Sequence, residues 1–488
     1  MSTLRDGSFY KVKSKIKRSF NRSWAGLAVN FESNQRKLSG TNYFDSLSHR
    51  FNEVEEVYGI GDSVKVFAKI GFNYRTNDSI KSNVFKQINK RKTFYLKTKL
   101  IQNKRTNLSV YANFRMTDNE FEKNEIALNS RVIYNQHFFK NFLTLETLYE
   151  TTSGNLARQD FVYIETEPGQ GYYIWNDYNK DGKQQFDEFE VAQFQDQAIY
   201  LRVTLPNIRF IPTQCLNYKQ SITLNPQRWE VSKGIRKLIS HFFNNGYFSI
   251  NNEQEKKEKG FWWNPYKIKT SNLLSLSYSV RNNFYYNRNL QRYSWVYTYG
   301  KSKNKQQFSV GSQESTSLIH QLNFQHKLTL FCAFETQGVY SESRLQTENL
   351  VNRNYHIKTK EIRPKLTFFY NKDHKLSFFY NFKKKENFDY GTEKLELQKL
   401  GLSYFLFSSK NQLKIDVAIS SNKFSGKINT PVSYQMLEGL QVGNNYTWNL
   451  FWNQKLTSML NLSLNYFGRK SQEINTIHSG AVQLKAIF

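Results

Sequence analysis

Between Trp175 and Glu190 the chain reads W-N-D-Y-N-K-D-G-K-Q-Q-F-D-E-F-E. Asp177, Asn179, Asp181, Gly182 and Glu188 fit the twelve-position calcium loop D-x-N-x-D-G-x5-E. A hard cation takes six to eight oxygens at about 2.3–2.6 Å, and alternate residues of a tight loop aim three side chains inward. Gly182 permits the sharp turn, the carbonyl of Lys183 adds an oxygen, and Glu188 closes the far side. Gln185 contributes through a water. The flanks depart from an EF-hand: residues 172–175 and 199–203 read as strands, and the eighth position is Gln184 rather than an apolar residue. The expectation is an EF-like loop in a β setting that holds a structural Ca2+. The competing reading is an Asp/Asn-rich surface turn without an ion. Signalling is not expected, because no helix pair is there to open.

The elements that carry this loop are written in a period of two. Leu460, Leu462, Leu464 and Tyr466 alternate with Asn461, Ser463 and Asn465. The last residues, S-G-A-V-Q-L-K-A-I-F, place Val482, Leu484, Ala486 and Phe488 on one face of an extended chain. Tyr446, Trp448, Leu450 and Trp452 form another stripe, as do Leu400, Leu402, Tyr404 and Leu406. Tyr293, Trp295, Tyr297 and Tyr299 form a further one, with a turn expected over 301–305 before Phe308 and Val310. Towards the amino-terminus, Val64, Val66, Ala68, Ile70, Phe72 and Tyr74 are in step. Short turns alternate with longer loops at 341–355, 384–394 and 423–444. One apolar and one wet side per strand, with unequal rims, is the pattern of an outer-membrane barrel. The fold expected is all-β, an antiparallel transmembrane β-barrel of about 20–24 strands with an inserted subdomain and one short helix. The last strand of a soluble sandwich is the alternative, and it would bury the same apolar residues between two sheets.

Three regions follow: amino-terminal barrel strands over 1–152, an insertion over 153–213 with the calcium-like loop, and carboxy-terminal strands over 214–488. The insertion reads as aperiodic and acidic, with Pro168, Pro206 and Pro212. Residues 227–243 carry Val231, Ile235, Leu238 and Phe242 at helical spacing, with Gly246 as a stop, which predicts a short amphipathic helix at a rim or in the lumen.

Composition agrees. Phe 40, Tyr 31 and Trp 8 are heavy for a soluble protein, and barrels use such rings in interfacial girdles. Seven prolines suit long strands. No stretch approaches the roughly 18 apolar residues that a membrane helix needs. The formal charge of +29 is interleaved with the strands rather than gathered in a tail. It therefore points to lipid phosphates or an anionic solute, with nucleic acid not the expected partner. Cys215 and Cys332 are far apart and suggest no disulfide framework. The first twenty residues contain no apolar run, so an exported chain implies a signal removed earlier or a longer protein. Tyr299-Gly300-Lys301-Ser302 lacks the upstream glycine of a P-loop, no G-x-S-x-G occurs, and the eight histidines show no paired metal spacing.

Three stretches resemble a family of large, mostly uncharacterised outer-membrane proteins of Bacteroidota. They are G-Q-G-Y-Y-I-W-N-D-Y-N-K-D-G with E-F-E-V-A-Q-F-Q-D-Q-A-I-Y-L-R-V, Y-Q-M-L-E-G-L-Q-V-G-N-N-Y-T-W-N-L, and I-H-S-G-A-V-Q-L-K-A-I-F. The likeness runs from about Phe161 to the end. It implies location and architecture rather than a reaction. It assigns Asp177, Asn179, Asp181 and Glu188 as cation ligands, and implies a longer amino-terminal region. The function expected is a non-enzymatic outer-membrane barrel of a Gram-negative bacterium, acting as a channel, transporter or secretion-complex component. Its expected partners are outer-membrane lipids, lipopolysaccharide and other envelope proteins. A surface β-protein that binds anionic polymers is the second reading, and an outer-membrane enzyme the third.

Overall fold

The computed structural model describes the chain apart from residues 1–4, 63–65, 122, 159–160, 206–208, 232, 257–260, 262–263, 267–269, 289–291, 309–310, 390, 458, 473 and 487–488. Val64, Pro206, Val310, Ser458 and the terminal Phe488 therefore lie outside the described residues.

Alternation with few internal breakers produces long strands. The first eight are β1 (Arg5–Ser19), β2 (Ser23–Leu38), β3 (His49–Gly61), β4 (Phe67–Lys81), β5 (Val84–Gln102), β6 (Thr106–Asn119), β7 (Glu125–Phe138) and β8 (Leu143–Arg158). An insertion follows with four short strands, β9 (Phe161–Glu165), β10 (Tyr173–Trp175), β11 (Phe189–Val191) and β12 (Tyr200–Thr204). Long strands resume with β13 (Arg209–Leu224), β14 (Phe242–Glu255), β15 (Leu273–Tyr286), β16 (Tyr293–Phe308), β17 (Gly311–Lys327), β18 (Cys332–Thr347) and β19 (Tyr355–Phe369). The last six are β20 (His374–Asn387), β21 (Lys394–Phe407), β22 (Asn411–Ser425), β23 (Gly443–Lys455), β24 (Leu460–Ser471) and β25 (Ile474–Ala486). Among the described residues, twenty-one long strands make one sheet and β9–β12 a separate four-stranded one. Successive long strands pair antiparallel, as in β1–β2, β16–β17 and β24–β25. The chain is thus all-β, an up-and-down antiparallel fold of the outer-membrane β-barrel class.

The chain divides into two compact units, 1–156 with 210–223 and 248–275, and 157–209 with 224–247 and 276–488. In the first unit, Leu27, Val54, Tyr58, Ile70 and Phe94 are exposed, while Asn73 and Arg75 hydrogen-bond Glu53 on the opposite face. The second unit is clearer still. Tyr380, Leu400, Ile419 and Tyr446 face one another across four strands, and Leu400 is 63% and Ile419 50% exposed. One residue along, Asn381, Lys399, Ser420, Asn445 and Ser471 form the adjacent row on the other face, where Ser420 and Asn445 are buried. The apolar side is the open one and the polar side is covered. A sandwich would reverse this, so the sandwich alternative fails. Val482 and Leu484 in β25 are likewise exposed.

Facing glycines and rings tighten the sheet. Phe379 lies over Gly401 and Trp448 over Gly468, each ring filling the space a Cβ would enter. This is the pairing by which an aromatic shields a strand glycine.

Several sequence expectations are corrected. The turn expected at 301–305 is strand: Lys301, Lys303 and Lys305 lie inside β16, where Lys303 pairs with Glu314 at 2.6 Å. Strands run past the apolar band here, and charged side chains mark its border rather than a turn. Similarly, β18 continues to Thr347 within the expected 341–355 loop. The helix expected over 227–243 is reduced to a 3-10 turn, Gln227–Trp229, and α1 (Ile235–Ser240). Gly234, with φ +66°, breaks it, and Phe242 and Phe243 instead pack on Phe284 and Tyr285 of the neighbouring strand. Val231, Ile235 and Leu238 are exposed, and Gly246 lies within β14. A second helix, α2 (Pro431–Leu437), occupies the expected 423–444 loop.

Candidate functional site

The insertion builds its own small core. Tyr163 stacks on Phe189 with centroids 4.0 Å apart, and Phe189 meets Tyr200 edge-on at 5.1 Å. Phe189 and Tyr200 are 3% and 4% exposed. Burying a ring of this size contributes about 1.5–3 kcal/mol. The β10–β11 register, Trp175 opposite Phe189, closes the intervening loop, and the Asn176 amide donates to the Glu188 carbonyl at 3.0 Å.

Within that loop three of the five expected ligands come together. Asp177 accepts from the amides of Asp181 (3.2 Å) and Gly182 (2.9 Å), and Asn179 Oδ1 also accepts from Asp181 N (2.9 Å). Asp181 accepts from Lys183 N at 2.7 Å and from Asn179 Nδ2 at 3.0 Å. Lys180 and Gly182 both take positive φ, which folds the loop back on these oxygens. Gln185 Nε2 donates to Asp181 at 2.7 Å. Glu188 behaves differently. It is 2% exposed, and both oxygens receive N–H donors: Tyr178 N at 3.1 Å, Trp175 Nε1 at 2.8 Å and Gln185 N at 3.4 Å. Among the described residues no three His, Cys, Asp or Glu side chains converge as a metal cluster. In this arrangement the oxygens of Asp177, Asn179 and Asp181, like those of Glu188, accept N–H donors of the loop itself; the first three lie at its exposed turn, whereas Glu188 is a buried fastener.

The chemistry-bearing contacts that sequence reasoning missed lie beside the loop. Glu190, 2% exposed, accepts from Arg353 Nη2 at 3.3 Å and Gln435 Nε2 at 3.2 Å. Burial pushes its carboxyl up, against the pull of Arg353. The Tyr434 hydroxyl donates to the Val191 carbonyl (3.3 Å) and accepts from the Gln193 amide (3.2 Å). Arg469 holds Asp196 in a fork at 2.6 and 2.7 Å, and its guanidinium lies 4.1 Å from the Phe194 ring centroid. Phe194 stacks in turn on Phe467 at 5.5 Å. The insertion is thus fastened to α2 and to β24.

Helix α2 is itself clamped. Thr430 caps it in a capping box with Ser433, and Pro431 stands in its first turn. Met436, Leu437 and Val432 pack on Ile357, Leu395 and Leu397. At its other end, Lys385 Nζ donates to the Met436 carbonyl (2.9 Å) and to Glu438 (2.7 Å), and Lys383 donates to Glu438 at 2.9 Å. Burial opposes ionisation of Glu438, but the two ammoniums outweigh it and bring the carboxyl down to about 2. A signal existed for this site. Glu190, Gln193 and Asp196 belong to E-F-E-V-A-Q-F-Q-D-Q, and Tyr434, Gln435 and Glu438 to Y-Q-M-L-E-G. Those two distinctive stretches meet in space.

No family model matches the chain, and no curated protein does. Among solved structures, similarity is found to the ferric-catecholate import receptor Fiu of E. coli K12, at TM-score 0.33 and 8% identity, over 95% of this chain and 75% of that one. The FrpB iron transporter of Neisseria meningitidis is similar at TM-score 0.36 and 8% identity, over 98% and 80%. The outer-membrane expressed OmpT of Vibrio cholerae is similar at TM-score 0.27 and 11% identity, over 78% and 88%.

Proposed function

We propose that the chain is a non-enzymatic outer-membrane β-barrel of a Gram-negative bacterium, acting as a channel or as part of a transport or secretion complex. The observation that carries this reading is the exposed apolar face of the long strands backed by a covered polar face, the arrangement suited to hydrocarbon on one side and a hydrated interior on the other. The insertion and α2 form the closing element: Glu190 and Tyr434 hold the two together, and Asp196 fastens them to Arg469 on the polar side of β24. A calcium ion on Asp177, Asn179 and Asp181, with the carbonyl of Lys183, would stiffen that element. Glu188 would join only by exchanging its N–H donors for the ion. Resemblance to the Bacteroidota family supports the location.

Planar-bilayer conductance tests the reading. The parent chain should conduct little, and a variant lacking residues 159–208 should show larger, steadier steps. Absence of conductance from both, together with unchanged gel mobility on boiling in SDS, would overturn it.

A further inference from the structure

The apolar face of the second unit carries a hollow of about 550 Å³ across β16–β20. Its floor is Gly338, where nothing lies within 4 Å of the place a Cβ would occupy. Leu322 and Ile362 stand directly opposite Gly338 on the two neighbouring strands, and Tyr297 and Phe382 continue the row. Gly338 is therefore unlike Gly401 and Gly468, which facing rings fill.

Two residues along each strand, the next row on the same face reads Tyr299, His320, Tyr340, Lys360 and Lys384. The Tyr297 hydroxyl and His320 Nδ1 are 2.8 Å apart, and the His320 ring lies 5.3 Å from Tyr299 and 6.1 Å from Tyr340. Lys384 sits 5.4 Å from the Phe382 centroid and 3.5 Å from Glu396. Lys360 is exposed and, among the described residues, makes no ion pair. The hollow is aliphatic at its centre, and the next row sets aromatic and imidazole rings level with two ammonium groups. A bilayer likewise sets its acyl chains next to an interface where aromatic rings and cations lie level with headgroup phosphate.

We propose that this is a binding site for a phosphate-bearing membrane lipid, with an acyl chain over Gly338 and the phosphate between Lys360 and Lys384. The proposal rests on the membrane-spanning reading above. The lysines supply the charge complement, Lys360 pairing with no carboxylate among the described residues. The open glycine supplies a channel for a chain rather than a socket for a ring. A free anion would have no use for the hollow, and a neutral lipid none for the lysines.

The full chain in detergent micelles, titrated with bis-phosphorylated lipid A and with the same lipid stripped of phosphate, tests the site by native mass spectrometry. Lys360→Ala with Lys384→Ala should weaken the phosphorylated lipid about thirtyfold and leave the stripped lipid unchanged, the scale expected for two cations at a charged membrane surface. Gly338→Leu fills the hollow and should weaken both lipids about tenfold, the scale of a buried chain segment. Equal binding of the two lipids by the parent, or a double variant that binds like the parent, overturns the phosphate site. Competition by inorganic phosphate at the same concentration as the lipid overturns the acyl part. Gel mobility on boiling is read on the same samples. A parent with no shift removes the membrane-spanning reading itself, whereas a retained shift without phosphate preference removes only this site.

Discussion

Replacing Asp196 by alanine removes one half of the fork that fastens the insertion to β24. Arg469 is 5% exposed, so its guanidinium would be left without an anion in a covered place. Breaking a buried pair from one side costs about 3–5 kcal/mol. Here the Asp196 side chain keeps 19% exposure, and the Phe194 ring remains over the guanidinium. Water and the ring recover part of the loss, which leaves about 2–3 kcal/mol, or roughly 30–150-fold in the docking equilibrium. Hydrogen exchange in detergent micelles reads this directly. The Gln193 amide, bonded to Tyr434, and the Ile199 amide, bonded to Tyr173, should exchange faster by that factor, while amides of β22 and β23 should not change. Adding Arg469→Met removes the stranded charge and should restore at least half of the protection. If Gln193 and Ile199 exchange in Asp196→Ala as they do in the parent, the pair does not hold the insertion. If the double variant is worse than the single, the stranded charge is not the cause.

Other outcomes follow from the same geometry. Glu438 titrates at about 2 in the folded chain, below the ordinary carboxylate range, so its ionised form supports the fold. That support is complete above about pH 5 and is lost as pH falls from about 4.5 towards 2. Because the side chain is 44% exposed, screening reduces its worth to about 1 kcal/mol. Glu438→Gln should remove this pH dependence from the melting of α2, and an unchanged profile would place it elsewhere. Gly468→Val forces its side chain into the Trp448 ring, which fills the space a Cβ would enter. It should cost about 1–3 kcal/mol and lower the urea midpoint, whereas Gly338→Ala, in open space, should not. Glu188→Ala strips the acceptor from Trp175 Nε1 and from the Tyr178 amide. It should make residues 176–188 protease-sensitive with or without calcium. Asp177→Asn with Asp181→Asn keeps an oxygen acceptor for the loop amides and should instead abolish only the protection that added calcium gives. Equal sensitivity of parent and Glu188→Ala without calcium would show that the fastener role is wrong.

Most of the wall was legible because a strand needs only local information: every second side chain shares a face, whatever lies beyond. Leu400 with Leu402, and Tyr446 with Trp448, could each be assigned to the apolar face of its own strand before any pairing was known. Boundaries were less legible. Lys301, Lys303 and Lys305 resemble a turn by composition, yet they alternate, and alternation is what the backbone obeys. The helix expected over 227–243 had the right apolar spacing, but Gly234 breaks the run, and Phe242 and Phe243 gain more from neighbouring rings than from a helix. Helix α2 was readable in principle from Thr430-Pro431 with Ser433, a cap and first-turn proline.

The all-β class, the two-faced strands and the loop that bears Asp177, Asn179 and Asp181 followed from residue order alone. Those are properties of neighbours along the chain. Only the tertiary structure decided that Glu188 faces Trp175, that Glu190 meets Arg353, that Asp196 meets Arg469 and that Lys385 closes the end of α2. All but the first join residues far apart in sequence, and a carboxylate carries no local mark of which distant cation will neutralise it. Pairing of that kind is set by strand register and by which face is covered, and neither exists until the sheet has formed.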